Sequence, residues 1–280
     1  MLAIETLHAA DLYEWLGCQA AVALHLDCNQ STVSRRIKEV MWLRKISDNR
    51  DHVNFLQLER RLHQLWRFKK GTRLRVHLYP WLNKLVTRGL PSSWSANPSA
   101  IATTAGNPIQ LLEQHVIDAL LAPAPLVADL DPTRFGLLPV YSTPLLLLAD
   151  SRCELAQEAA LSLAEISDHT ELAMLPFVPE QASDCTRRLD AELLGGPSSL
   201  RMAGQRRYWG TILTPLVHPR LVRLDCRQPA RYTEFLVCLR EWLDHGEMLR
   251  LLTAVHNALR FRQQELADLE MLELTMSTTA

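Results

Sequence analysis

The segment Ser31–Leu43 constrains this chain most. At about 100° per residue, Val33, Ile37 and Val40 fall on one side of a helix. Arg35 lies at the centre of the opposite side, with Ser31, Ser34 and Lys38 on one flank and Glu39 on the other. Such a helix packs inward by its apolar stripe and turns short hydrogen-bonding groups and cations outward. Two further helices precede it. Ile4, Leu12, Trp15 and Leu16 share a helical face that Gly17 ends, and an Ala-rich helix runs over residues 19–26 before the polar break Asp27-Cys28-Asn29-Gln30.

Charge follows the same division. Residues 1–90 hold 15 Lys+Arg against 8 Asp+Glu, a balance of +7, and the rest holds 15 against 23, a balance of −8. A basic head on an acidic body suits a chain in which one part meets a polyanion. Residues 54–66 repeat a helical pattern through Phe55, Leu58, Leu62, Leu65 and Trp66, which reads as core. After Phe68-Lys69-Lys70-Gly71-Thr72, Leu74 and Val76 alternate with Arg73, Arg75 and His77, the pattern of a small basic hairpin. A short helix is expected after Pro80.

The Pro- and Ser-rich stretch 89–98 is the expected linker. Beyond it, strand-like runs at 100–104, 137–140, 145–149, 172–178, 221–224 and 235–239 alternate with helix-like stretches at 108–115, 162–166, 184–194 and 248–269. That alternation predicts an α/β body on a mainly parallel sheet.

Several chemistries are expected to be absent. The six cysteines (18, 28, 153, 185, 226 and 238) form no C-x-x-C pair, and the ten histidines fit no zinc-ligand spacing, so neither disulfide nor metal is expected. No sequence feature supplies Cys185 with a base, and the adjacent Asp184 opposes a lowered thiol pKa, so no nucleophile is expected there. Gly195-Gly196-Pro197 reads as a helix stop and turn, and no nucleophile elbow, P-loop or dinucleotide fingerprint occurs. No catalytic residue and no cofactor are therefore expected. No apolar run is longer than the five residues of Leu145–Ala149 and the N-terminus is broken by Glu5, His8 and Asp11, so a soluble cytoplasmic chain without membrane contact is expected.

Helix, polar turn and basic amphipathic helix form the unit that places a helix in the DNA major groove, where its N-terminal residues reach base edges. Gln30, Ser31, Thr32, Ser34, Arg35 and Lys38 are the residues so placed, with Arg36 toward phosphate. Lys69, Lys70, Arg73 and Arg75 would add a salt-sensitive phosphate contribution.

Gln30-Ser31-Thr32-Val33-Ser34-Arg35-Arg36-Ile37, preceded by Ala20-Ala21-x-x-Leu24, resembles the helix-turn-helix of LysR-type transcriptional regulators. Leu65–Leu78 looks like their wing, Val116–Leu121 like the Asp-Leu-Ala strand of their effector domain, and Pro144–Asp150 with Leu161–Ile166 like a strand-then-helix crossover. The resemblance implies a winged helix-turn-helix at 1–88 and a linker at 89–98. It implies a shortened, periplasmic-binding-protein-like α/β effector domain at 99–270 and a flexible tail at 271–280. It also implies double-stranded DNA as partner, a homodimer or homotetramer, and a small-molecule effector.

This sequence departs from the family pattern in four ways. Residues 41–61 stand as an insertion between recognition helix and wing. Leu78-Tyr79-Pro80-Trp81 replaces the usual Thr-x-x-Gly, Pro80 interrupts the expected linker helix, and the first strand and helix of the effector domain look missing. An effector in the body would meet hydroxyls near strand ends: Thr103, Thr104, Ser142 and Thr143. Two rival readings are a protein-docking module whose helix-turn-helix no longer binds DNA, and an enzyme built on the α/β body.

Overall fold

Gly17 ends the first helix as its sequence suggests: it takes a left-handed φ of 67° and its N–H returns to the Tyr13 carbonyl. The computed structural model describes residues 3–46, 50–97, 107–144, 146–150, 172–174, 208–211, 221–224, 231–261 and 270–272. Helices α1 (Ile4–Leu16), α2 (Gln19–His25) and α3 (Gln30–Ile46) form a helical head. Val33, Ile37 and Val40 are buried as their spacing requires, packing α3 on α1 and α2. Asp27 turns the chain between α2 and α3 with a φ of 47°.

Helix α4 (Arg50–Lys70) spans 21 residues, roughly 30 Å at 1.5 Å per residue. Its orientation reverses the expected one. Phe55, Leu58, Leu62, Leu65 and Trp66 are 41–57% exposed, whereas Arg60, Gln64 and Arg67 are buried. The polar side faces inward because it has partners there. Arg60 Nε donates to Asp11 Oδ1 and its Nη2 to Glu14 Oε2, both at 2.8 Å, and Arg67 Nη2 donates to Asp118 Oδ1 at 2.7 Å. Burial alone would lower the Arg60 guanidinium, but Asp11 and Glu14 more than offset it and hold it above its ordinary pKa.

The body is built on strands β1 (Leu74–His77), β2 (Trp94–Ala96), β3 (Ala119–Pro123), β4 (Phe135–Pro144), β9 (Arg231–Leu239) and β10 (Glu270–Met271). They form one sheet in the order β10-β4-β9-β3-β1-β2. A second sheet has the order β6 (Leu172–Met174), β7 (Tyr208–Thr211), β5 (Leu146–Asp150), β8 (Leu221–Arg223). Among the described strands the first sheet is mixed: β1 pairs in parallel with β2 and β3, while β9 lies antiparallel between β3 and β4. The expectation of a mainly parallel sheet is corrected accordingly.

Helices α5 (Pro80–Val86) and α8 (Gly246–Phe261) cover one face of the first sheet, against Leu74, Val76, Leu121 and Leu236. The head, with α6 (Pro108–Glu113) and α7 (Ala124–Val127), covers the other. There Ala9, Leu12, Trp15 and Val33 share a core with Leu111, Val116, Leu120 and Val237. Both faces are covered, so all four residues of β1 are buried, including the polar ones.

This topology moves the expected domain boundary. Residues 74–77 and 94–96 lie side by side in the body's sheet, with Leu74 opposite Trp94, so the body begins near residue 74 and the stretch 89–98 is internal to it. Strand β1 and helix α5 thus stand ahead of the stretch where the body was expected to begin. Of the stretch 41–61, residues 41–46 end α3 and residues 50–61 open α4. Pro80 does not interrupt the long helix, since it opens α5 at a position where proline's missing N–H costs nothing. The expected strand at 100–104, the helices at 162–166 and 184–194, Cys185, Gly195–Pro197 and the tail beyond residue 272 lie outside the described residues. Among the described residues no helix is long and apolar enough to cross a membrane.

Candidate nucleic-acid interface

The turn at 27–29 sets the start of α3. The Asn29 carbonyl accepts from the N–H groups of Thr32 and Val33, at 2.9 and 3.2 Å, so the helix begins at Gln30, one residue ahead of the expected cap. From there the inward stripe fixes the rotation. Gln30, Ser31, Arg35, Lys38 and Glu39 are exposed, and Thr32, Ser34 and Arg36 are half-buried. Arg35 Nη2 donates to Thr32 Oγ1 at 3.3 Å, an exposed bond across one turn of the helix. Glu39 is turned toward α1, where Thr6 Oγ1 donates to its Oε2 at 3.4 Å. The carboxylate is thereby drawn to the edge of the cationic face rather than its middle.

The second group of expected DNA contacts is not a hairpin. Lys69 and Lys70 close α4 and are exposed, Gly71 turns the chain with a φ of 57°, and Arg73 is exposed with a φ of 57° of its own. An added Cβ at Gly71 would lie 3.0 Å from Glu247 Oε1, so that carboxylate would have to give way. The expected wing at 69–75 is thus corrected to a helix end, a turn and the first strand of the body.

Arg75 is corrected with it. At 1% exposure it cannot meet a phosphate. Its Nη1 donates to the Val116 carbonyl and its Nη2 to His8 Nδ1, each at 2.6 Å. Burial, and then the neighbouring Arg67, lower its guanidinium to about 10, which still leaves it charged near neutrality. The His8 imidazole accepts that bond as the neutral base, pushed down to about 2 by burial and by Arg75. Alternation of Arg with Val and Leu misled the sequence reading, because it assumes one wet face, and here the head covers that face.

The expected effector residues divide. Thr103 and Thr104 lie outside the described residues. Ser142 and Thr143 are buried at the end of β4, where Ser142 Oγ accepts from Thr233 Oγ1 at 3.2 Å. Sequence reasoning missed the group beside them. Glu234, on the neighbouring β9, is fully buried and accepts from the Tyr141 and Tyr232 hydroxyls. Burial and this carboxylate push the Tyr79 phenol up to about 12 and Tyr141 well above its ordinary value. An open groove of about 790 Å³ lies elsewhere, between α5 and α8, lined by Leu85, Arg88, Pro91, Leu249, Asn257 and Phe261. No group of His, Cys, Asp and Glu among the described residues has the arrangement of a metal site.

No protein-family model matches the chain, and no curated protein matches it. Among solved structures, it is similar to a hydrogen-peroxide-bound cysteine mutant of OxyR from Corynebacterium glutamicum. That likeness has 13% identity and a TM-score of 0.42, over 93% of this chain and 94% of the other. It is also similar to HinK, a LysR family transcriptional regulator from Pseudomonas aeruginosa, at 15% identity and a TM-score of 0.41, over 92% and 99%. The regulatory domain of MetR, a LysR family regulator from N. meningitidis, is a third, at 14% and 0.45, over 73% and 100%.

Proposed function

We propose that the chain is a DNA-binding transcriptional regulator of LysR type, reading the major groove with α3. One observation carries this reading: α3 buries Val33, Ile37 and Val40 while Gln30, Ser31, Arg35 and Lys38 stay exposed on its outer side. Gln and Arg suit bidentate pairing with adenine and guanine, and Ser31, Thr32 and Ser34 suit either base edges or phosphates. Arg36, Lys69, Lys70 and Arg73 are assigned to the phosphate backbone, where they position rather than specify. Arg75 is dropped from this set.

The working unit is proposed to be a homo-oligomer joined along α4. Phe55, Leu58, Leu62 and Leu65 recur at alternating spacings of three and four residues, the seam of a paired helix, and they are exposed in the single chain. A second copy would cover them and set two recognition helices on a pseudo-palindromic site. In the body, Ser142 and Thr143 of β4 stay the proposed effector contacts, with Glu234 paired beside them on β9; both hydroxyls are buried, so an effector would reach them only on local opening of the strand ends.

Fluorescence anisotropy with duplexes from the chain's own gene neighbourhood tests the reading. The expected outcome is sequence-selective binding whose affinity falls steeply with salt. Absence of binding at low salt, with a stoichiometric protein partner co-purifying instead, would favour the docking-module alternative.

A further inference from the structure

Beyond the recognition helix, the least ordinary feature is a set of charges sealed between head and body. Asp118, at the entry to β3, is fully buried and accepts four hydrogen bonds: from Gln64 Nε2 at 3.1 Å, Arg67 Nε at 3.0 Å and Nη2 at 2.7 Å, and the Arg75 backbone N–H at 2.9 Å. Arg75 reaches from β1 to His8 of α1, and its Nη1 lies 3.8 Å from Asp11 Oδ2. Asp11 in turn holds Arg60 of α4, whose Nη1 also donates to Gln114 Oε1 of the body at 3.4 Å. These side chains, joined at Arg75 through its backbone N–H, form an unbroken path from Asp118 to α1. Helix α1 is in turn packed against α3 through Leu7, Ala10 and Val40.

We propose that this ionic path locks head and body into one cooperative unit, with Asp118 and Arg75 as the residues through which the sheet positions the recognition helix. Three carboxylates (Asp11, Glu14 and Asp118) balance three guanidinium groups (Arg60, Arg67 and Arg75), so parting the elements would leave α1 and α4 with unpaired charges of opposite sign. Interfaces between domains of one chain are usually polar, hydrated and mobile. This one is sealed by Leu12, Trp15, Leu111 and Leu112, so parting it would expose apolar surface and uncouple desolvated ion pairs at once. A displacement of β1 or β3 then reaches α1, and through it α3, without passing through a flexible linker. The inference stands apart from whether α3 docks on DNA, because its test needs none.

Hydrogen exchange of the full chain, followed by mass spectrometry across a denaturant series, supplies that test. Peptides from α1 and from β1 and β3 are expected to lose protection at the same denaturant concentration. Asp118→Asn is expected to speed exchange in α1 and in β1 alike, by roughly tenfold or more. His8→Leu, which removes the Arg75 acceptor, should do the same, whereas His8→Gln, which keeps an acceptor there, should largely preserve protection in both. If Asp118→Asn does not accumulate as folded protein, the two His8 variants give the same comparison. Earlier opening of α1 than of the sheet in the unaltered chain, or a His8→Leu effect confined to the head or absent, would overturn the proposal.

Discussion

Helices α3 and α4 follow one another in the chain and solve opposite problems. Helix α3 buries Val33, Ile37 and Val40 and leaves Arg35 and Lys38 exposed, whereas α4 buries Arg60, Gln64 and Arg67 and leaves Leu58, Leu62 and Trp66 exposed. The difference teaches that an amphipathic pattern fixes a helix's faces but not which of them meets water. What decides is the partner available on each side. Asp11, Glu14 and Asp118 stand ready for the arginines of α4, while Arg35 has among its described contacts only Thr32 of its own helix. An inward arginine and an outward leucine on the same helix are costs that need something to offset them. The carboxylates offset the first, and a second copy of the chain is proposed to offset the second.

The largest effect that would sharpen this contrast is expected at Asp118. Asp118→Ala leaves Arg67 buried without its carboxylate and should cost about 3–5 kcal/mol in urea denaturation. A cost below about 1 kcal/mol would mean that water reaches the site and that α4 is not locked by its charges. Next, truncating the two helices at their apolar positions should give unequal results. Ile37→Ala on α3 should lose about 2–4 kcal/mol through the cavity it leaves. Leu62→Glu on α4 should lose little stability in a dilute, monomeric sample, yet should lower the molar mass seen by light scattering at high concentration. Equal destabilisation by both would break the comparison.

Buried polar groups also predict a pH dependence. His77 on β1 is 2% exposed, and burial lowers its imidazole from 6.5 to about 4. The unfolded chain therefore takes up a proton below pH 6.5 that the folded chain refuses until about pH 4, so stability falls as pH falls through that window. His8 acts in the same direction over a wider range. His77→Phe should shrink the loss of stability between pH 7 and pH 5 by about 2 kcal/mol, read from denaturation midpoints at the two pH values. The smallest effect is at the end of α1: Gly17→Ala, at a φ of 67°, should cost about 1 kcal/mol.

The head was the most legible part of the sequence. Local signals suffice there: the Gly17 stop, the polar turn at 27–29 and the stripe on α3 each depend on neighbours a few residues away. Strands β4, β5, β8 and β9 were legible as apolar runs. The start of the body was not. Leu74–His77 reads as a half-wet strand because Arg75 and His77 alternate with Leu74 and Val76, and only the head, some sixty residues earlier in the chain, explains why that side is dry. The inversion of α4 was hidden for the same reason, since Asp11 and Asp118 lie 49 and 51 residues from the arginines they hold. The Glu234 cluster escaped because a single carboxylate among apolar residues gives no spacing to detect.

The account rests most heavily on the outer face of α3, and one titration tests it directly. The Arg35→Ala/Lys38→Ala double variant should keep the melting temperature of the unaltered chain, because both side chains lie on the solvent side of the helix. Its affinity for a selected duplex should fall at least about tenfold, and the slope of log affinity against log salt should flatten by about one, the share of Lys38, because Arg35 is assigned to a base edge. Unchanged affinity and slope in a folded double variant would contradict the assignment of α3 to the major groove.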